Sequence, residues 1–392
     1  MNTYAPRVAF FTDSYHEANG IATTSRKLAE FARQRNYPML IVACGDKKRF
    51  VTNGSLSHVE LSRSRATIAV EHDFGFDPLL WRERNFVRRV LREFQPNLIH
   101  ITSPGDIGLL GFYLSRSTPI PFVASWHTNL HEFASRRLVR LMPRFSRDRI
   151  EKWTIRALET IYRRARVTLA PNPDLVTWLK THTGKPCLLM ERGVDSQLFH
   201  PSRRTVTSDV FSLGFVGRLS AEKNVRLLIE IERQLLDSGQ KNFRFIIVGN
   251  GKELNHLRAN MKTGEFRGVL REEALARAYA DMDVLVFPSE TDTFGNVVLE
   301  AMASGVVPIV SCKGGPRFLI RHDVDGLIAN SEGDFVRLIE RLMNDRDGLK
   351  RMRLNARRRS VKSSWDEVLE VVYDGYRLAL YGADQPSNRE SV

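Results

Sequence analysis

The stretch Phe287 to Gly305, FPSETDTFGNVVLEAMASG, decides how the rest of the chain is read. With Val284, Leu285 and Val286 ahead of it, Phe287 closes a short apolar run bounded by Pro288 and Ser289, the pattern of a parallel strand covered on both faces. A helix is predicted from near Asn296 to a stop at Gly305. Asp292 and Thr293 are expected to cap it, and Gly295 to let a ligand approach the backbone closely. Amide N–H groups at a helix start attract an anionic or hydroxyl-rich ligand. Glu300 lies one turn further in, on the face of Asn296. Two carboxylates, Asp292 and Glu300, thus flank a Phe294-Gly295 turn, offering acceptors for sugar-like hydroxyls beside donors for phosphate. The same arrangement also occurs as a plain capped turn with a helical Glu.

Composition bounds the rest. The 392 residues suffice for two or three domains with their own cores, and 42% apolar with 27% charged content is that of an ordinary globular protein. Neither a signal peptide nor an apolar run of membrane-spanning length is read from the sequence, and Cys44, Cys187 and Cys312 show no metal or redox spacing. The expected location is the cytoplasm. A net charge of +14 favours an anionic partner, whether phosphorylated substrate, membrane face or nucleic acid.

From the N-terminus, strand Val8–Phe11, the loop TDSYHEANG, a helix after Gly20 and strand Met39–Ala43 make a βαβ unit whose first turn, with Asn19 and Gly20, faces the carboxyl edge of the sheet. Further units follow: a helix from Leu79 to Phe94, strand Leu98–Ile101 with the loop SPGDIG, and strand Phe122–Ala124 ending in SWHTN. His127 therefore stands just past a strand end, where a lone histidine is either structural or a ligand.

Between Ala134 and Arg166 eleven Arg or Lys residues face three acids, interleaved with Leu138, Leu141, Phe145, Trp153 and Ile161. Such spacing fits a helix lying on an anionic membrane, each basic residue contributing on the order of 1 kcal/mol. It equally fits helices packed on their own domain with a solvated basic face. The aromatic residues do not alternate with the charges as a base-stacking platform requires, so no nucleic acid is expected.

After the connector ERGVDSQLFHPSRR the pattern restarts. Strand Leu213–Val216 ends in Gly217, Arg218 and then Lys223. Strand Phe245–Val248 follows, and later the segment Phe266–Leu270, which includes Val269 and Leu270. A diphosphate is well matched by one forked and one point cation, as Arg218 and Lys223 would supply. The echo of the first half predicts an α/β chain of two Rossmann-like lobes facing across a cleft.

The central stretch resembles the Glu-x7-Glu signature of the retaining family 4 glycosyltransferases, with Asp292 in place of the first Glu. That change shortens the side chain by about 1.5 Å. The resemblance runs from Arg7 to about Tyr381 in at least five ordered segments. TDSYHEANGIA, SPGDIG, SWHTN, ERGVDSQLFHP and DTFGNVVLEAMASG are most similar to the sulfolipid-synthase-like and GDP-mannose-dependent α-mannosyltransferase branch.

This resemblance implies a GT-B fold, with an acceptor domain over 1–192, a nucleotide-sugar domain over 193–364 and a helix over 365–381 returning to the first; the composition of GADQPSNRESV adds a disordered tail over 382–392. It implies a hexose moved from a nucleotide-diphosphate sugar to a lipid or lipid-linked acceptor, with no metal and no other cofactor; the basic stretch adds the expectation of a peripheral place on the inner face of the plasma membrane. Arg218 and Lys223 would neutralise the leaving diphosphate. Asp292 would hold the donor hydroxyls and Glu300 the ribose, while His127 would contact the sugar. Asn19, Gly20, Gly217, Val269, Leu270, Thr293, Phe294, Gly295 and Asn296 would line the donor. No side chain is placed as a covalent nucleophile. Two other classes remain compatible with the sequence: a nucleotide-sugar epimerase of the same fold, and a non-catalytic basic protein binding membrane or nucleic acid.

Overall fold

The computed structural model describes residues 5–17, 19–71, 74–127, 156–205 and 209–382. The basic stretch from Ala134 lies outside the described residues as far as 155, as does the tail from 383. The chain separates into two compact units, one taking the residues up to Glu191 with the segment from Asp366, the other Arg192–Trp365. All three cysteines are free thiols.

In the first unit, β1 (Val8–Phe11) is buried along its whole length, as an unbroken apolar run in a parallel sheet must be. Helix α1 (Gly20–Gln34) turns Leu28, Phe31 and Ala32 inward. The chain continues through β2 (Met39–Gly45), β3 (Arg49–Asn53), β4 (Leu56–Ser62), β5 (Ile68–Glu71), β6 (Phe74–Phe76), α2 (Arg84–Phe94) and β7 (Leu98–Ile101). It then forms α3 (Asp106–Arg116), β8 (Phe122–Ser125), β9 (Val167–Ala170), α4 (Pro173–Thr183) and β10 (Cys187–Leu189). The eight-stranded sheet has the order β10-β9-β8-β7-β1-β2-β4-β3. Only β3 runs antiparallel, along β4, and its five residues are exposed, as on a sheet edge.

Two sequence expectations change here. The helix expected from Leu79 opens as a 3-10 turn over Leu80–Glu83 and becomes α-helical only at Arg84. Asp77 fixes that entry, its carboxylate accepting from the amides of Ser64 and Leu79 at 2.6 and 2.9 Å. The hairpins β3–β4 and β5–β6 were not foreseen.

The second unit holds β11 (Phe211–Val216), α5 (Leu227–Asp237), β12 (Phe243–Val248), α6 (Leu254–Asn260), β13 (Gly264–Gly268), α7 (Glu272–Ala280), β14 (Val284–Phe287) and α8 (Asn296–Ala303). These lead to β15 (Val307–Ser311), β16 (Leu327–Ala329), α9 (Glu332–Asn344) and α10 (Arg346–Val361). Its six strands are all parallel, in the order β13-β12-β11-β14-β15-β16. Phe211, Phe215, Phe245, Val284, Leu285 and Ile309 are all fully buried in one core. At about 1.5–3 kcal/mol for each such side chain, this burial holds the sheet together.

The last helix, α11 (Trp365–Tyr381), packs on the first unit. Tyr376 Oη lies 2.7 Å from His100 Nδ1, the Tyr373 ring centroid is 4.8 Å from that of Tyr37, and Arg166 donates to the carbonyl of Ala379 at 3.0 Å. A buried polar pair inside an aromatic cluster fixes one docking position, because a slip would take Tyr376 away from the buried Nδ1 of His100.

Candidate active site

In each unit the chain order makes a switch point, where loops leaving two adjacent strands part in opposite directions and open a crevice at the carboxyl edge. In the second unit it falls between β11, which leads on to β12 and β13, and β14, which leads on to β15 and β16. The β11 loop carries Gly217, Arg218 and Lys223; the β14 loop carries Asp292 to Asn296.

The two loops meet. Lys223 ends a 3-10 turn (Ala221–Lys223), and its Nζ lies 2.5 Å from Asp292 Oδ1. Thr291 adds a second tie, its hydroxyl donating to the carbonyl of Glu222 at 3.2 Å. The other carboxylate oxygen, Asp292 Oδ2, is buried and has no hydrogen-bond partner among the described residues. A buried anionic oxygen without a donor is costly, and a ligand hydroxyl would satisfy it. Arg218, 43% exposed, leaves β11 two residues past its end and reaches to 3.9 Å of Glu222.

Gly295, not Asp292 or Thr293, is the cap of α8, which corrects the expected cap. Its φ of 98° lies in the left-handed region, and no side chain caps this helix start. A Cβ there would press within 2.9 Å of Pro316, so both backbone conformation and space require glycine. A Cβ on Gly315 would come within 1.9 Å of the Thr293 carbonyl, while the Gly315 amide donates to the carbonyl of Asp292 at 2.7 Å. The β15 loop thus clamps the backbone of the β14 loop. The Phe294 ring is buried in the core, with the Arg192 guanidinium 5.8 Å from its centroid, so its backbone is the part left to face a ligand. Burial lowers the Arg192 pKa to about 10.

Asn296 begins α8, and Glu300 lies one turn in, half-buried. Tyr279 on α7 donates its hydroxyl to Glu300 Oε2 at 2.7 Å. Burial raises the Glu300 pKa, opposed by that hydrogen bond. Val269, exposed, and Leu270, packed against the core, follow β13 at the same edge of the sheet. The pair Asp281 and Asp283, spaced like a metal-binding Asp-x-Asp, precedes β14 instead of following it. Thr205 bonds the first, and Arg204, Arg353 and the Ser212 amide hold the second.

In the first unit the switch point falls between β1 and β7. Here sequence reasoning missed Asp13, which is buried and accepts from the Ser103 hydroxyl and from the amides of Gly105, Ile107 and Gly108 at the start of α3. Burial, reinforced by neighbouring Asp106, raises its pKa to about 7. Asn19 is the cap of α1: its Oδ1 accepts from the Ala22 amide at 2.9 Å and its Nδ2 donates to Ser14 Oγ at 2.7 Å. Its side chain therefore has structural work, and Gly20 opens the helix beside it. His127, buried two residues past β8, has Nε2 2.7 Å from Ser125 Oγ. That hydroxyl lies 2.9 Å from His100 Nε2, giving a buried chain His127–Ser125–His100–Tyr376. Burial lowers the His100 pKa to about 3, so its imidazole is neutral at physiological pH.

Two parallel-sheet units with loops gathered at a switch point are the architecture of GT-B glycosyltransferases. The sucrose-phosphate synthase of Thermosynechococcus elongatus superposes with a TM-score of 0.76 at 17% identity, over 94% of this chain and 98% of that one. The family model described as Glycosyltransferase Family 4 matches residues 18–198, and that described as Glycosyl transferases group 1 matches 210–345. The GDP-mannose-dependent alpha-mannosyltransferase of Mycolicibacterium smegmatis is 30% identical over 95% of this chain and 98% of its own length. The alpha-monoglucosyldiacylglycerol synthase of Acholeplasma laidlawii is 24% identical over 67% of this chain and 70% of its own. The chain belongs to glycosyltransferase family 4.

Proposed function

We propose that this glycosyltransferase moves a hexose from a nucleotide-diphosphate sugar to a lipid or lipid-linked acceptor at a membrane surface, with retention at the anomeric carbon. GDP-mannose is the first donor to test, because the relative from M. smegmatis is named for it. The observation that carries the reading is the buried, unpartnered Oδ2 of Asp292 beside Lys223, an acceptor with a cation at its side. It fits a sugar hydroxyl next to a diphosphate.

The departing group gains negative charge, so catalysis rests on positioning and electrostatics. Lys223 and Arg218 take that charge, with the helix start at Gly295 and Asn296, which no side chain caps, and the backbone of Thr293 and Phe294. Ligand phosphate would draw Lys223 away from Asp292, freeing both carboxylate oxygens for hydroxyls. Glu300 is assigned to the ribose, held in place by Tyr279. Gly217, Val269 and Leu270 are assigned to the nucleotide, and Asn19, Gly20 and His127 of the first unit to donor and acceptor.

The lipid acceptor draws support from the diacylglycerol-modifying relative and from the eleven basic residues between Ala134 and Arg166. Among the described residues no helix is long and apolar enough to cross a membrane. Thermal shift against UDP-, GDP- and ADP-sugars identifies the donor, since a ligand bound only by the folded state raises its melting point. Proton NMR of the glycolipid product then reads its anomeric configuration; an inverted centre contradicts retention, and epimerised donor without transfer contradicts the class of reaction assigned.

A further inference from the structure

A second cluster lies in the first unit and is made of residues given no role above. His16 stands on the loop between β1 and α1, while His58 and Glu60 share one face of β4 at i and i+2. One ligand atom from each of the three lies within 4.8 Å of the other two. We propose that His16, His58 and Glu60 bind a divalent cation of borderline softness, with zinc as the type, and that this ion clips the β1–α1 loop to β4.

The donor set fits that ion. Two imidazoles and a carboxylate suit zinc or cobalt, whereas magnesium and calcium prefer all-oxygen shells. His58 Nε2 is buried and has no hydrogen-bond partner among the described residues, a deficit that the fold tolerates and a ligand would remove. Its ring lies under Tyr15, with centroids 4.8 Å apart, and lines a cavity of about 260 Å³ with Tyr15, Ile41, Arg49 and Leu56.

Glu60 is nearly inaccessible, and its carboxylate occupies space that a side chain at Gly45 would take: a Cβ there would lie 2.6 Å from Oε2. Arg49 and His16 converge on the other oxygen, Oε1, at 2.6 and 3.3 Å. The carboxylate is thus already arranged to receive a positive charge, at present from the exposed guanidinium of Arg49, which is free to swing into solvent. Tetrahedral ligands at ~2.1 Å from zinc stand about 3.4 Å apart, a spacing that His16 Nε2 and Glu60 Oε1 already hold at 3.3 Å. Three protein ligands leave one position open for water or an exogenous group.

The test titrates chelator-treated full-length protein with Zn²⁺ by calorimetry and with Co²⁺ by visible absorption. One saturable equivalent with the intense band of tetrahedral Co²⁺ is expected. Because His16 is exposed, His16→Ala leaves the fold intact and should weaken binding at least about tenfold, no less than the loss of a supporting contact costs. Glu60→Gln should do the same, whereas Arg49→Ala, which removes the competing cation, should tighten binding. Absence of saturable binding, or affinity unchanged in both His16→Ala and Glu60→Gln, overturns the proposal.

Discussion

Lys223 Nζ and Asp292 Oδ1 meet at 2.5 Å although 69 residues separate them, because β11 and β14 are neighbours at the switch point of the second sheet. The pair is one-fifth exposed on each side, so it is neither a surface ion pair of negligible weight nor a sealed one. Its arrangement is that of a cation held ready for a stronger anion.

Replacing Asp292 separates ligand binding from folding. Asp292→Asn retains the shape and removes the charge, and should lower kcat/KM for the donor about 10²-fold, comparable with the loss of one preorganised electrostatic group. Steady-state kinetics with the donor found by thermal shift check this. Melting should change little, since Asn keeps an oxygen for the Lys223 ammonium.

Glu300 carries an activity–stability conflict. Its folded pKa is raised above the ordinary 4.5 by burial, so the native state holds a proton more tightly than the unfolded chain does. Its contribution to stability is therefore greatest below 4.5 and falls as pH climbs through the raised value. Glu300→Gln should melt no lower than the wild type at pH 7.5 while losing turnover at least about 10²-fold. Tyr279→Phe removes the hydrogen bond that opposes the shift, so the acid limb of the pH–rate profile should move to higher pH.

Asp13 titrates in the other unit by the same logic. Raised from 3.8 to about 7, it makes the first unit progressively less stable as pH rises between those values. Asp13→Asn should flatten that decline, read by hydrogen exchange at the amides of Ile107 and Gly108 across the interval.

Asn19 also has a structural role, as the cap of its helix. Asn19→Ala removes the cap of α1 and should cost about 1 kcal/mol, measured by denaturant unfolding. Asn19→Asp should recover most of it.

What the sequence made legible was local. A buried strand, a Phe-Gly turn and two acids at fixed spacing lie within 19 residues, so chain connectivity alone brings them near each other. Tyr279, Arg192 and Asp13 escaped because their meaning is long-range: Tyr279 matters through Glu300, 21 residues away, and Asp13 through amides 92 to 95 residues away. Their isolated letters look like any core tyrosine or loop aspartate. The β3–β4 hairpin had a usable signal in Asn53-Gly54 between alternating segments, with Asn53 pairing Leu56 across the turn. The expected cap failed for a different reason. Asp292 is a good capping residue by type, but Lys223 holds its carboxylate, and Gly295 takes the helix start by adopting a conformation closed to aspartate.

The most direct test measures nucleotide release coupled to glycolipid formation, using GDP-mannose and a lipid acceptor on anionic vesicles, for wild type, Lys223→Ala and Glu300→Ala. Both variants should fall at least about 10²-fold with vesicle binding unchanged. Turnover within threefold of wild type in both variants would contradict the assignment of the site.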